Sequence, residues 1–344
     1  MENKLLATVD IGSHSCLMLI AAFEDAPAAP GEEPRKVLVP KLQKVEVCRL
    51  GEDVYDDGSG EARPISEKRI AELVAIMTKF RMDLHALGAN LQAVVMTEAM
   101  RRASNPDEVL DAVEKAIWMR PRIISGEEEA KLTFRSVREW HGNDLVTIDI
   151  GGGSTELSNG ETAFSIPVGA LKMFKAMGPI PGPEYKKFAK EVFKDVSFKG
   201  MTKKPVYLIG GTGTALAMVY LNKQVFDYKS IEGLELSLSD LDAVTTRISN
   251  LSKELRAMLP GLENGRHEVI ICGLVWLKSL LEKLRVESFR ISTAGLRFGL
   301  LYPPEAEPEQ KPKAKRIPPW MKKAAEPTES AAETAAPPEV AEQN

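Results

Sequence analysis

The sequence predicts an α/β protein made of two related domains, followed by a polar C-terminal tail. Strand-like apolar runs alternate with segments whose apolar residues recur at helical spacing, which is typical of sheets covered by helices. The pattern apolar-Asp-Ile-Gly-x-x-Ser occurs at residues 9–15 and again at residues 148–154. Because both copies stand where a strand leads into a turn, we predict a duplicated domain. The length of 344 residues also exceeds what one hydrophobic core usually organises.

The elements of the first half begin with a hairpin. Residues 5–10 form an apolar strand, a polar turn follows, and residues 17–23 return as a second strand. The remaining predicted elements of this half are, in order, extended segments over 37–50, a helix capped by Ser66, a buried strand at 91–97 and a helix that opens at Asn105 and Pro106.

The second half repeats this order, starting with a strand that ends at Ile124 and a helix that starts at Ser125. Further elements are predicted at 145–150, 155–158, 164–168, 206–209, 239–259, 268–284 and 296–302. We therefore expect a first domain at 1–123 and a second at 124–295. A last helix at about 296–303 is a candidate to return to the first domain, and the Pro, Ala, Glu and Lys composition of 304–344 predicts a disordered tail.

Composition and charge exclude several classes of protein. Apolar residues make up 44% and charged residues 27%, and the net charge of -4 gives no bulk affinity for nucleic acid or for an anionic membrane. The three cysteines are far apart, odd in number and without C-x-x-C spacing, which argues against a disulfide framework and a zinc site. The apolar stretch 5–23 is interrupted by polar residues and lacks a basic leader, so it is neither a signal peptide nor a membrane span. We expect a cytoplasmic protein.

Three glycine-rich turns at strand ends are candidates to bind phosphate through their backbone N–H groups. They lie at 12–15, 151–154 and 210–214, and no P-loop motif is present. Asp10 and Asp149 close the strands before the first two turns, where a buried carboxylate needs a hydrogen bond or a cation. Mg²⁺ is the natural occupant, because it prefers one or two carboxylates together with water and phosphate oxygens.

Hydrolysis of an anhydride also needs a carboxylate that orients or deprotonates water. In the run 125–129, Ser125 and Glu128 are expected to form a capping box, which leaves Glu129 as the candidate base. Glu156 is a further carboxylate beside the second turn, and an ordinary position on a strand face explains it equally well. Arg101 follows a strand end and is a candidate to neutralise a phosphate, although such an arginine is more often a surface residue.

A lysine-rich stretch at 186–204 is a candidate to hold an extended polyanion if it faces the cleft, with a solvated amphipathic helix as the simpler explanation. Nucleophilic catalysis has no candidate, since no G-x-S-x-G motif occurs and the cysteines have no evident partner histidine.

Two sequence blocks resemble a known family. Ile-Ser-Gly-Glu-Glu-Glu-Ala at 124–130 and Asp-Ile-Gly-Gly-Gly-Ser-Thr-Glu at 149–156 are similar to blocks of the Ppx/GppA family, exopolyphosphatases and guanosine pentaphosphate phosphohydrolases of the actin-like ATPase superfamily. General actin-like kinases do not carry the pair. The resemblance covers nearly the full length, including 9–15, 97–105, 167–169, 210–214, Arg266, Gly273, Ser292 and 295–297.

The resemblance implies two ribonuclease-H-like domains with an active-site cleft between them, in the short form of the family that lacks a further C-terminal helical domain. It implies Glu129 as the residue that activates water, and Asp149, Gly151 and Glu156 around the terminal phosphate and its Mg²⁺. The pairing of the turns adds Asp10 as a candidate metal ligand. The implied phosphate-binding residues are Gly12, Ser13, His14, Ser15, Arg101, Gly151, Gly152, Gly153, Ser154, Gly211, Thr212 and Gly213. A homodimer is plausible on the same basis.

Two positions depart from the family pattern. His14 stands where the family usually has Asn, which introduces a group that titrates near neutrality. Phe298 replaces an acidic residue after Gly-Leu-Arg, which puts a domain contact in doubt.

Three functions remain open at this point. The first is release of orthophosphate from polyphosphate, or of the 5′ terminal phosphate from guanosine pentaphosphate (pppGpp). The second is an actin-like kinase of a small metabolite, for which the sequence shows no adenosine pocket or acceptor-binding acid. The third is a non-catalytic sensor of polyphosphate or nucleotide. The lysine-rich stretch favours polyphosphate as the substrate of the first.

Overall fold

Two mixed β-sheets, one from each half of the chain, form the frame of the molecule in the computed structural model. The structure describes residues 4–25, 36–55, 62–182, 184–262 and 265–303, which lie in one compact unit that ends at Pro303. The predicted tail at 304–344 lies outside the described residues.

The first sheet follows the predicted hairpin. Its strands are β1 (Leu6–Ile11), β2 (Ser15–Asp25), β3 (Lys36–Val47), β4 (Asn90–Met96) and β5 (Arg122–Ile123). They are arranged in the order β3-β2-β1-β4-β5. β1 is antiparallel to β2 and parallel to β4, so the carboxyl end of β1 lies beside that of β4.

The second sheet has the same arrangement with one added strand. Its strands are β6 (Val146–Ile150), β7 (Thr155–Ser158), β8 (Ala163–Ile166), β9 (Val206–Ile209), β10 (Glu235–Ser237) and β11 (Ser288–Ile291). The order is β10-β11-β9-β6-β7-β8, so β8-β7-β6-β9-β11 repeats the first sheet and β10 is an antiparallel edge. The short repeated motif in the sequence therefore corresponds to a repeated topology.

Thirteen helices within the described residues connect and cover these strands. They are α1 (Leu50–Val54), α2 (Glu67–Leu87), α3 (Glu98–Arg102), α4 (Pro106–Ile117), α5 (Gly126–His141), α6 (Ala170–Met177), α7 (Tyr185–Val192), α8 (Gly210–Leu221), α9 (Tyr228–Ile231), α10 (Leu238–Ser249), α11 (Lys253–Ala257), α12 (Arg266–Leu284) and α13 (Leu296–Gly299). Across the described ranges, no helix combines the length and the apolar character that a membrane crossing requires.

The helix starts follow the predicted capping residues in part. The Ser66 hydroxyl accepts a hydrogen bond from the Arg69 N–H, as expected for a cap. The Ser125 hydroxyl accepts from the Glu128 N–H, but the Glu128 carboxylate binds Arg122 at 3.1 Å. Only half of the predicted capping box is therefore present, because a nearby arginine competes for the carboxylate.

Several segments differ from the sequence-based expectation. The predicted helix at 239–259 is divided into α10 and α11, and the predicted turn at 210–214 is the start of α8. Residues 50–54 form α1 rather than the end of an extended segment, and α3 follows β4 directly. Each of these helices has only 5 residues, too few to show a helical period in the sequence. The last helix ends at Gly299 and not at Tyr302.

Each sheet has its own apolar core, and α13 builds a third, smaller cluster. Phe298 of α13 is fully buried in that cluster and packs edge-on against Trp140 with ring centroids 5.5 Å apart. The Thr8 hydroxyl of β1 donates to the Arg297 carbonyl at 2.9 Å. The last helix thus packs against the first sheet, and Phe298 makes an apolar contact there.

Candidate active site

A cavity of about 140 Å³ lies between the turn that follows β1 and the turn that follows β6. We call residues 12–15 the first turn and residues 151–154 the second turn. The Gly12 N–H donates to the Ser15 carbonyl and the Gly151 N–H donates to the Ser154 carbonyl, both at 3.0 Å. A Cβ on Gly12 or Gly151 would lie 3.2 or 3.3 Å from the same carbonyl oxygen. The two turns therefore have matching backbone geometry.

Most of the predicted site residues line this cavity. They are Asp10, Gly12, Ser13, His14, Ser15, Glu129, Asp149, Gly151, Gly152, Gly153, Ser154, Gly211 and Thr212. Arg101, Glu156 and Gly213 lie outside its lining. Gly213 turns away because the third glycine-rich run is the first turn of α8, where a Cβ at this position would face Leu208 of β9 at 3.1 Å.

The second turn is held tightly by the helix that follows it. The N–H groups of Ala170 and Leu171 donate to the Gly151 and Gly152 carbonyls, each at 2.9 Å. A Cβ on Gly152 would lie 3.4 Å from the Ser13 Cβ of the first turn. A side chain at Gly152 would therefore be in van der Waals contact with the first turn, and the two turns face each other across a narrow gap.

Asp10 and Asp149 lie at the ends of β1 and β6, on opposite sides of the gap. Burial raises the pKa of Asp10 to about 7, although the Arg297 guanidinium lowers it and Asp149 adds to the rise. Burial likewise raises the pKa of Asp149 to about 6, again against Arg297. Arg297 is itself held by the Met18 carbonyl at 3.1 Å, and burial lowers its pKa to about 10. The buried guanidinium of Arg297 therefore lowers the pKa of both carboxyls.

Glu129 lies in the first turn of α5 and is 9% exposed. Burial, followed by the nearby carboxyls of Glu156 and Asp10, raises the pKa of Glu129 well above its usual range. Arg101 opposes this rise, with its Nη1 3.2 Å from the Glu129 Oε2. Glu129 is thus a buried carboxyl at the cavity wall with one cation beside it.

Arg101 is placed behind the cavity rather than in its wall. Its Nη1 also donates to the Ile124 carbonyl at 2.7 Å, and its Nε donates to Glu98 at 3.1 Å. Glu98 lines the cavity and also binds Arg102. Arg101 therefore contacts the carboxylates of Glu98 and Glu129, and its binding of phosphate stays a prediction.

Glu156 lies directly beside Asp149, its register partner across β6 and β7. Burial raises its pKa to about 8, and Asp149 adds to the rise, whereas hydrogen bonds from Ser165 and Ser154 oppose it. The Ser165 hydroxyl donates to the Glu156 Oε1 at 2.7 Å. This carboxyl is 2% exposed, which removes the interpretation of an ordinary solvent-facing charge.

Four residues near the cavity were not singled out from the sequence as site residues: Tyr55, Glu98, Arg266 and Arg297. Arg266 and Arg297 lay within the family resemblance, but no role followed from it. Arg266 donates to the Gly211 carbonyl at 2.8 Å and lines the cavity. Glu98 also lay within the resemblance, in the block 97–105, without a role of its own. Tyr55 had no signal in the sequence, because it follows a short helix that has no recognisable period.

A second cavity, of about 380 Å³, adjoins the first beyond Arg266. Asp10, His14 and Asp149 line both cavities. The outer walls of the second cavity are largely apolar and include Leu17, Val45, Val47, Ile209, Met218, Phe226 and Leu296, with amide groups from Gln43 and Gln224.

The lysine-rich stretch at 186–204 does not line either cavity within the described residues. Lys194 pairs with Glu191 at 2.7 Å on the surface, and Lys204 pairs with Asp144 at 3.1 Å. The condition under which these lysines would favour a long polyanion is therefore not met at either cavity.

Two of the cysteines are neighbours in space although they are distant in the sequence. A hydrogen bond between the two thiols, in which Cys16 keeps its proton, contributes after burial to raising the pKa of Cys16. The Cys48 thiol donates to the Gly12 carbonyl of the first turn at 3.4 Å. All three cysteines are free thiols, in agreement with the absence of a disulfide framework.

The carboxylates around the cavity limit which kind of metal ion the site can hold. Among the residues that the structure describes, no group of three or more His, Cys, Asp or Glu side chains is arranged to hold one. The Asp10 Oδ1 is buried and accepts no hydrogen bond from any described residue. A cation that takes one or two carboxylates and completes its shell with water and phosphate oxygens fits this site, whereas a cation that needs an all-protein cage does not.

Comparisons with known proteins identify the family of the chain. The model of the Ppx/GppA phosphatase family matches residues 38–307. Exopolyphosphatase 1 of Mycobacterium leprae is 27% identical over 315 residues, which cover 86% of this chain and 88% of the relative. A bifunctional 3-dehydroquinate synthase/phosphatase of Fusobacterium nucleatum is 27% identical, over 82% of this chain and 44% of the relative.

Solved structures share the fold. The PPX-GPPA enzyme of Aquifex aeolicus superposes with a TM-score of 0.68 at 24% identity, covering 87% of this chain and 98% of that one. An exopolyphosphatase of Cytophaga hutchinsonii gives a TM-score of 0.72 at 19% identity, with coverage of 87% and 97%. The predicted two-domain actin-like fold is confirmed.

Proposed function

The chain belongs to the Ppx/GppA phosphatase family, and from that premise we propose that it removes the terminal phosphate of inorganic polyphosphate by Mg²⁺-dependent hydrolysis with Glu129 as the general base. One observation carries the proposal. Glu129 is a buried carboxyl in the wall of a cavity whose other walls are two facing glycine-rich turns. A base held beside a phosphate-sized, backbone-lined space is what hydrolysis of an anhydride requires.

In the proposed reaction the Glu129 carboxylate accepts a proton from a water molecule. The water oxygen forms a bond to the terminal phosphorus while the bridging P–O bond breaks, and the shortened chain keeps the bridging oxygen. Arg101 holds the Glu129 carboxylate from behind, which favours the ionised form needed to accept the proton. Orthophosphate is the product.

The two turns would bind the terminal phosphate of the substrate. Ser13 and Ser15 of the first turn and Ser154 of the second line the cavity, together with the Gly211 and Thr212 start of α8. The Ser15 hydroxyl is buried without a hydrogen-bond partner among the described residues, so it is available to a phosphate oxygen. Positioning by such groups supplies much of the catalysis in phosphoryl transfer.

Asp10 and Asp149 would hold the Mg²⁺, with Glu156 behind Asp149. The ion would neutralise phosphate charge and polarise the phosphoryl oxygens. The raised pKa values of these carboxyls support the assignment, because carboxyls buried without a cation hold their protons unusually tightly.

pppGpp is the alternative substrate, and the second cavity favours it. That cavity adjoins the phosphate site and offers apolar walls and two glutamine amides, which suit a nucleoside better than a polyanion. A linear polyphosphate would instead need several cations along its path, and the described lining of the second cavity contains Arg266 and Arg297.

The test is a comparison of kcat/KM for orthophosphate release from polyphosphate and from pppGpp, with Mg²⁺ and with a chelator. We expect Mg²⁺-dependent release, and Phe226→Ala to lower kcat/KM for pppGpp alone if the second cavity holds the nucleoside. A parent protein that binds polyphosphate tightly but releases no phosphate from either substrate is a sensor, and the proposal is then wrong.

A further inference from the structure

We propose that Tyr55 is a positioning residue for phosphate binding: its phenol donates a hydrogen bond to Ser13 and thereby directs the Ser13 hydroxyl into the cavity. The inference rests on the proposed function, since it takes the cavity to be the terminal-phosphate site. Ser13 lines the cavity and Tyr55 does not, so Tyr55 would act through Ser13.

The contact between the two hydroxyls is buried. The Tyr55 and Ser13 side-chain oxygens are hydrogen-bonded, and the residues are 3% and 5% exposed. A buried phenol needs a hydrogen-bond partner, and Ser13 is the one that the structure provides. Burial also raises the pKa of Tyr55, so the phenol keeps its proton and remains a donor.

The direction of the bond follows from the hydrogen-bonding capacity of a serine. A hydroxyl has one hydrogen to donate and two lone pairs to accept with. When the Tyr55 phenol donates to the Ser13 oxygen, the Ser13 hydrogen stays available for a phosphate oxygen. Chains of hydrogen bonds also polarise one another, which makes Ser13 a better donor in this arrangement.

Tyr55 also packs against the second turn. A Cβ on Gly153 would overlap the Tyr55 phenol, so only glycine fits at that place in the turn. The phenol therefore touches one turn through a hydrogen bond and the other through packing. A single side chain thereby fixes the spacing between the two turns.

The segment that carries Tyr55 is anchored from both sides of the cleft. On one side, the Gly51 N–H donates to the Ser13 carbonyl at 2.7 Å. On the other, the Lys175 ammonium of α6 donates to the Glu52 carbonyl at 2.7 Å and to the Tyr55 carbonyl at 3.3 Å. These contacts fix α1, and Tyr55 directly after it, relative to both turns.

The experiment is a double-mutant cycle on substrate binding. Tyr55→Phe removes the phenol hydroxyl and keeps the ring against Gly153, Ser13→Ala removes the partner, and the double variant combines them. Steady-state release of phosphate from polyphosphate gives KM and kcat for each. We expect KM to rise about five- to tenfold in Tyr55→Phe, the effect of one net hydrogen bond, with kcat changed less than about twofold. The double variant should match Ser13→Ala.

Tyr185→Phe is the matched control. Its phenol is also buried and donates to the Val275 carbonyl at 2.6 Å, but it lines neither cavity. We expect a comparable loss of Tm in both phenylalanine variants and a higher KM in Tyr55→Phe alone. An unchanged KM in Tyr55→Phe, an equal rise in Tyr185→Phe, or strictly additive effects in the cycle would each overturn the proposal.

Calorimetric binding of tripolyphosphate separates this inference from the proposed function. If the parent releases no phosphate, the proposed function fails, but a Kd that is about five- to tenfold weaker in Tyr55→Phe still supports the positioning role. A Kd that is the same in parent and variant, or a parent that binds no tripolyphosphate, contradicts it.

Discussion

The first and second turns share a backbone and differ in the side chains beside them. Each is closed by the same 3.0 Å hydrogen bond, and each follows a strand that ends in Asp-Ile. In the first sheet, Asp10 is paired in register with Leu17. In the second, Asp149 is paired with Glu156 at the equivalent place. The duplicated scaffold thus carries an extra carboxyl on one side only.

The segments that hold the two turns in place also differ. The second turn is fixed by backbone hydrogen bonds to α6, which begins immediately after β8. The first turn is fixed by α1, whose Gly51 N–H and preceding Cys48 N–H bind the Ser13 and His14 carbonyls. Glu129 comes from α5, the helix that opens the second half. This asymmetry predicts that the second half supplies the acid–base chemistry, while the first supplies an opposing wall.

The largest expected effect is at Glu129. Glu129→Gln keeps the size of the side chain but cannot accept the proton from water, so kcat for phosphate release should fall by about 10²- to 10⁴-fold. Glu127→Gln is the control, because Glu127 lies on the same helical turn but is exposed and paired with Lys131. Equal activity of parent and Glu129→Gln would move the base to another residue.

The next effect tests the register pair. Glu156→Leu makes the second sheet resemble the first, where Leu17 stands. Loss of a carboxyl that supports Asp149 should lower kcat/KM about 10- to 100-fold. If activity is retained, the difference between the two sheets has no catalytic meaning.

The same variant should change how stability depends on pH. Folding raises the pKa of Glu156 to about 8, so the native protein holds this proton more tightly than the unfolded chain does. The stabilisation that comes from the Glu156 proton is fully present below the ordinary pKa range of a glutamate. It is lost as pH rises through about 8. We therefore expect the Tm of Glu156→Leu relative to the parent to be higher at about pH 8.5 than at about pH 5. A difference that does not vary with pH would contradict this.

A third effect compares the two aspartates. Asp149→Asn should raise the Mg²⁺ concentration for half-maximal activity by about tenfold or more, because a carboxylate ligand is lost beside Glu156. Asp10→Asn should raise it less, if the second turn is the main metal holder. Titration of Mg²⁺ at saturating substrate measures both, and the reverse order would assign the metal to the first turn.

The smallest expected effect is at Arg101, which lowers the pKa of Glu129. Arg101→Gln removes that charge, which should raise the pKa of Glu129. When the solution is acidified, activity should then be lost at a higher pH than in the parent. We expect the acid limb of kcat/KM to move up by about one pH unit, and Arg101→Lys to move it less. A limb that stays in place would show that Arg101 does not act on the base.

Local patterns predicted much of the fold. Most strands and the helices α2, α4, α5 and α12 were recognised because alternation and helical periodicity reflect burial that each segment experiences by itself. The start of α8 was instead predicted as a turn, because its glycines are typical of one. The Ser66 and Ser125 caps were recognised because a cap is a contact over three residues. The short helices α1 and α3 were missed because 5 residues are too few for a period to show.

Within the site, the sequence by itself determined the residue types at the turns and the candidate base, because glycine, aspartate and capping patterns are local requirements of backbone and charge. Tertiary structure alone decided which side chains meet. It placed Tyr55 against Ser13 and Gly153, and it placed Arg101 behind Glu129. It also kept the lysine-rich stretch out of the lining of both cavities. Such contacts join segments distant along the chain, and their energies depend on burial and on neighbouring charges that only the folded chain creates.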